Sequence, residues 1–179
     1  APFPITTAPN LDPMFGPSPL RFTSPELLSD FRGLFTADFD GLGRDDLLEI
    51  DNSTGLVNVR RQLADGTFTS NGFSVPAGTI QDSAIGDFDH DGLMDIILVL
   101  DHDVKVYHND GLDVNGALQF TGSVPLGRSS SGIVTVEHIA VANLTTDNKP
   151  EVVIVGTGDD GAGGTVMKME MIDNNGAGV

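Results

Sequence analysis

The chain predicts an all-β fold built from three repeats of short antiparallel strands. Three observations carry that expectation. Short apolar, partly β-branched runs such as Ile96-Ile97-Leu98-Val99-Leu100 and Val152-Val153-Ile154-Val155 occur without a sustained helical period between them. Glycine is abundant, at 22 of 179 residues, which suits a chain rich in turns. One acidic loop recurs from Asp38, Asp87 and Asn143. Its spacing of roughly 50 residues marks a solenoid, a propeller or an array.

The clearest copy is Asp87-Phe88-Asp89-His90-Asp91-Gly92-Leu93-Met94-Asp95. Carboxylates at positions 1, 3, 5 and 9 (Asp87, Asp89, Asp91, Asp95) repel one another unless a cation sits among them. Oxygen-only donors favour a hard ion, and Ca²⁺ is the usual one. Leu93 adds a backbone carbonyl at position 7, and Gly92 supplies the positive φ of a sharp turn. The loop is not an EF-hand: position 12 is Leu98 rather than Glu, and an apolar strand follows instead of a helix.

The second copy is Asp38-Phe39-Asp40-Gly41-Leu42-Gly43-Arg44-Asp45-Asp46. Asp38, Asp40 and Asp46 keep their carboxylates, while Leu42 and Arg44 offer only carbonyls and Asp45 is expected to face outward. The third, Asn143 to Glu151, places Asn143, Thr145, Asp147 and Glu151 at positions 1, 3, 5 and 9, with Lys149 at position 7. Asn148 replaces the glycine there. With two charged donors it is expected to be the weakest site. The role expected of all three ions is structural, each pinning the crossing between two strands.

Asp-Phe-Asp-x-Asp-Gly-x-x-Asp before an apolar strand resembles the FG-GAP/VCBS repeat of integrin-α-like β-propellers. The resemblance runs from about residue 19 to 172. It implies propeller-type blades of four antiparallel strands, with the calcium loop between the first two. It also implies an extracellular or surface setting and roles in adhesion or glycan binding, although some members are enzymes.

The elements follow in order. Residues 1–19 carry six prolines and read as an extended arm, either mobile or lying on a neighbour. Residues 20–28 (Leu-Arg-Phe-Thr-Ser-Pro-Glu-Leu-Leu) match Leu118-Gln119-Phe120-Thr121, where a blade's outer strand is expected, so they read as a spare outer strand. The three-blade domain spans 20–172. Blade one is expected at 33–37, 47–50, 56–61 and 67–75, with a hairpin turn at Ala64-Asp65-Gly66-Thr67. Blade two is expected at 82–86, 96–100, 104–108 and 118–124, with its later turn at His108-Asn109-Asp110-Gly111. Within it, Val104, Val106 and His108 alternate with Lys105 and Tyr107 as in a half-buried strand. Blade three is expected at 137–142, 152–156 and 165–172, joined by a long turn through Asp159-Asp160-Gly161-Ala162-Gly163-Gly164, before a Gly/Asn-rich tail at 173–179.

One end thus has a spare outer strand and the other lacks one, and three blades are too few for a ring. Three arrangements stay open: a six-bladed dimer exchanging residues 20–28, a head-to-tail filament, or a fragment of a longer propeller.

The formal net charge of −17 excludes a basic stripe for nucleic acid. No cysteine is present, so no disulfide or thiol nucleophile is available. No stretch approaches 18 apolar residues, so no span is expected. The start Ala1-Pro2-Phe3-Pro4 is compatible with a mature N-terminus after cleavage. Asn52-Ser53-Thr54 is a glycosylation sequon in an expected surface turn. Asp101-His102-Asp103 reads as a turn, and Ser129-Ser130-Ser131-Gly132 as a loop with no base in sequence reach. No Gly-x-Ser-x-Gly occurs. The expected function is therefore an extracellular, calcium-binding, self-associating structural or adhesive protein and not an enzyme. The partners expected are further copies of the chain and, beyond them, a glycan or a cell-surface protein. The alternative function is a glycan-binding, lectin-like propeller module. The absence of Trp and a single tyrosine, Tyr107, weigh against it. An enzyme of unknown reaction ranks third.

Overall fold

The structure, a computed structural model, describes residues 30–101, 103–128, 132–146 and 149–174. The arm at 1–19, the spare strand at 20–28, His102, Ser129 to Ser131, Asp147, Asn148 and the end of the tail lie outside the described residues.

Eleven strands and no helix are present among the described residues. They are β1 (Phe31–Ala37), β2 (Asp46–Asp51), β3 (Leu56–Gln62), β4 (Phe68–Ser74), β5 (Ile80–Gly86), β6 (Asp95–Leu100), β7 (Asp103–Leu112), β8 (Leu118–Arg128), β9 (Ile133–Ala142), β10 (Glu151–Asp159) and β11 (Thr165–Ile172). They form three open antiparallel sheets. Sheet I has the order β1-β2-β3-β4, sheet II β5-β6-β7-β8, and sheet III β9-β10-β11 with three strands.

Period-2 patterning places the cores. In sheet I, Leu48 and Ile50 lie opposite Val59 and Val57, so all four share one face. That face packs on Ile80, Ile96, Leu98, Leu100 and Leu118 of sheet II. The other face of sheet II carries Ile97, Val99, Val104 and Val106, which pack on Ile133, Val136, Val152 and Ile154 of sheet III. The middle sheet is therefore buried on both sides. In β7 the expected alternation holds over 104–107: Val104 and Val106 are buried against sheet III, while Lys105 and Tyr107 are half-buried and Tyr107 stacks on Phe73 of sheet I at 4.5 Å.

The first strands of the three sheets crowd together. A Cβ at Gly33 of β1 would lie 2.5 Å from Ser83 Oγ of β5, and one at Gly86 of β5 would lie 2.8 Å from a Val141 methyl of β9. Only glycine allows these approaches. Ser83 Oγ donates to the Arg32 carbonyl (3.1 Å), and the Ile139 amide donates to Asp82 (2.7 Å). The sheets thus fan from a narrow edge of first strands, as propeller-like blades do.

Three expectations are corrected. His108 to Gly111 is not a turn. It continues β7, with register breaks that include Asn109/Gly111 and with Gly111 at φ 74. This is a bulge, and the reversal comes later, where the Asp113 amide donates to the Ala117 carbonyl. The long turn after β10 shrinks to 160–164, because Asp159 pairs with Thr165. Asn52 opens the expected turn, whose Ser53 and Thr54 are exposed, but its own side chain is not at the surface. It is 6% exposed, its Nδ2 donates to Asp30 (2.7 Å), and its Oδ1 accepts from the Ile80 amide (2.8 Å). That side chain ties β2 to the start of β5 and presents no free amide to a glycan.

Candidate metal centre

Each acidic loop joins the first two strands of its sheet, so each backbone crossing gathers its carboxylates at one end of a blade. In loop 2 (residues 87–95), Asp95 is the anchor. It is fully buried at the start of β6; its Oδ2 accepts from the Phe88 amide (2.8 Å) and its Oδ1 from the Asn109 amide of β7 (2.9 Å). Burial pushes its pKa up to about 6, against the lowering effect of those two amides and of His108. His90 and Gly92 take positive φ values of 64 and 91, which turn the chain around the cluster.

Within that turn, Asp87 Oδ2 accepts from Gly92 (3.1 Å), Asp89 Oδ1 from Asp91 (3.2 Å) and Asp91 Oδ1 from Leu93 (2.8 Å). Oxygens of Asp87, Asp89 and Asp91 lie within 4.8 Å of one another. That separation suits oxygens ligating one ion at calcium–oxygen distances of about 2.3–2.6 Å. Asp87 Oδ1 is buried and has no hydrogen-bond partner. A buried anionic oxygen without a donor is costly, and a cation among the three carboxylates relieves it. The residues therefore fit a hard divalent ion. Asp89 and Asp95 also approach His108, whose Nδ1 is 3.6 Å from an oxygen of each.

Loop 1 (residues 38–46) repeats the backbone but not the electrostatics. Asp46 matches Asp95: Oδ2 accepts from the Phe39 amide (3.1 Å) and Oδ1 from Gln62 (2.8 Å), and burial again raises its pKa. Asp38 accepts from Leu42 (3.1 Å) and Gly43 (2.7 Å), and Asp40 Oδ1 from Leu42 (3.0 Å). Asp40 Oδ2 is held by the Arg61 guanidinium, with Nε at 3.0 Å and Nη2 at 2.9 Å. Oxygens of Asp38, Asp40 and Asp46 lie within 4.8 Å of one another, as those of loop 2 do, but all six carboxylate oxygens accept from within the chain. Leu42 is exposed, and Arg44 donates to the Gln62 carbonyl (3.0 Å). Asp45 is exposed, as expected.

Among the described donors of loop 3 (residues 143–151), Thr145 and Glu151 come together. Glu151 is fully buried; Oε2 accepts from the Leu144 amide (2.6 Å) and Oε1 from the Thr145 hydroxyl (2.9 Å). Asn143 is exposed and Lys149 partly buried, while Asp147 lies outside the described residues.

Segments 38–98 and 87–154 each match the model of the FG-GAP-like repeat. The chain belongs to that family. Each matched segment runs from one acidic loop to the strand after the next, so each joins two FG-GAP-like repeats across a sheet interface. Neither the curated proteins nor the solved structures contain a match.

Two side chains that the sequence reading missed connect these repeats. Asn109 Nδ2, at the end of β7, donates to the Phe39 carbonyl in loop 1 (2.8 Å). Asn174 Nδ2, just past β11, donates to the Phe88 carbonyl in loop 2 (3.0 Å). The registers Ile96↔Tyr107 and Val152↔Ile172 make the two asparagines equivalent. The second and third repeats therefore each latch onto the acidic loop of the one before. Asn109 also donates its own amide to Asp95, which makes a continuous path from loop 2 to loop 1. The signal was present as Asn at the same offset after two strands, but only pairing reveals the offset.

Proposed function

We propose that this FG-GAP-like chain is an extracellular, non-enzymatic structural or adhesive module, stabilised by Ca²⁺ and completed by association with further copies of itself. The observation that carries the calcium reading is the buried, unpartnered Asp87 Oδ1 beside Asp89 and Asp91. Asp87, Asp89, Asp91 and Asp95, with the Leu93 carbonyl, would hold the ion. The ion would supply charge neutralisation at the β5–β6 crossing, and its binding free energy would add to folding. No helix among the described residues is long and apolar enough to cross a membrane.

Self-association is supported by sheet III. It has three strands where its neighbours have four, and β11 is its edge among the described residues. The sheet face turned away from sheet II carries Val153 and Val155 opposite Met171 and Met169, which are 48% and 74% exposed. Phe39 and Phe88 are buried beneath their loops, but Leu144, their equivalent in loop 3, is 56% exposed. The third repeat thus ends in an interface like the other two but uncovered among the described residues. A glycan platform has less support, since Tyr107 is stacked inside the sheet I–II interface.

Thermal melting and light scattering, each with Ca²⁺ and with excess chelator, test this. A higher Tm in Ca²⁺ and a mass above one chain are expected. A melting curve indifferent to Ca²⁺ refutes the metal reading, and a strictly monomeric mass refutes self-association.

A further inference from the structure

We infer that loop 1 carries its own cation, the Arg61 guanidinium, and takes no calcium ion. The residue at this one strand position, Arg61 in sheet I and His108 in sheet II, decides whether the repeat's loop is an ion site. This deepens the calcium reading of loop 2 and rests on it.

The registers Leu47↔Arg60 and Ile96↔Tyr107 make Arg61 and His108 equivalent. Both face the position-3 carboxylate, and they do different things there. Arg61 bonds Asp40 Oδ2 through two nitrogens, while its third donates to the Gly116 carbonyl in the β7–β8 turn. The Asp40 and Arg61 side chains are 1% and 8% exposed. His108 stands 3.6 Å from Asp89 Oδ2, too far for a hydrogen bond.

An ion entering loop 1 would sit beside the buried positive charge of the guanidinium, or would strip the guanidinium from Asp40. Stripping it would leave a buried cation without its partner, a change that is strongly unfavourable. Position 5 would give nothing in return, because Leu42 has no carboxylate. In loop 2, Asp91 fills position 5 and Asp87 Oδ1 has no donor, so an ion completes the cluster without breaking one. Arginine suits this role because it stays charged and its planar fork meets a carboxylate and a carbonyl at once. The same side chain joins sheet I to sheet II through Gly116.

Counting bound Ca²⁺ on the full chain by native mass spectrometry tests the assignment. Asp38→Asn is expected to leave the wild-type count unchanged. His108→Arg, which places a guanidinium beside Asp89, is expected to lower the count by one, as Asp91→Asn does. A count that falls on Asp38→Asn overturns the inference. So does a folded His108→Arg protein, checked by circular dichroism, that keeps the wild-type count. Should His108→Arg fail to fold, the Asp38→Asn result decides alone. A count that Asp91→Asn fails to lower contradicts the calcium reading of loop 2 instead, so the two failures are separable.

Discussion

Asn109 makes four hydrogen bonds from a position that is 1% exposed. Its Nδ2 reaches the Phe39 and Met94 carbonyls, its Oδ1 accepts from Gly111, and its amide holds Asp95. Asn109→Ala keeps the amide and strands two carbonyls and one N–H in a buried interface. The expected loss is on the order of 2–3 kcal/mol, read as a lower Tm or denaturant midpoint. Asp51 supports a second residue-scale prediction. Burial raises its pKa, but hydrogen bonds from Ser53, the Asp30 amide and Thr54 outweigh that and leave it below the usual 3.8. A depressed folded pKa gives stability that is present above the unfolded value and is lost as pH falls through the folded one. The Asp51→Asn protein should therefore show a shallower loss of Tm below about pH 4 than wild type. The carboxylates of both clear loops were legible in the sequence, because loop spacing is a local property. Arg61 and Asn109 were not, because their roles depend on which strand lies beside which loop.

At the scale of elements, the strands were legible from apolar runs and turn residues, and most of their ends agree within a few positions. The exception is instructive. His108-Asn109-Asp110-Gly111 looks like a turn, with an Asx residue before glycine. Pairing with β8 instead absorbs Gly111 into a bulge, and Asp113, whose Oδ1 accepts from Asn115 and Ala117, builds the real turn. Similarly, Asn52 looks like a glycan acceptor until β5 is seen to cap it. β11 gives the prediction at this scale. Met167, Met169 and Met171 lie on one exposed face. Met169→Lys should lower the mass measured by light scattering while leaving Tm within about 1 kcal/mol equivalent of wild type, since an exposed side chain contributes little to the core. Unchanged mass would place the association surface elsewhere.

Across the whole molecule, two interfaces do most of the holding, and the asparagine latches tie each interface to an acidic loop. Ion occupancy at loop 2 should therefore be felt in sheet III, through Asn174 and Phe88, and in sheet I, through Asn109 and Phe39. Calcium should slow amide exchange at Phe39 as well as at Phe88, measurable by hydrogen exchange on the full chain. Protection confined to residues 87–95 would mean that the path carries no coupling. The number of blades was legible from the loop period. What covers the outward face of sheet III was not, because that depends on surface outside the three described sheets.

The most direct measurement is calorimetric titration of Ca²⁺ into the decalcified full chain, wild type beside Asp91→Asn. Saturable binding by the wild type, with one site lost in the variant, is the predicted result. Identical isotherms for the two proteins, or no heat of binding in either, would contradict an ion site at loop 2.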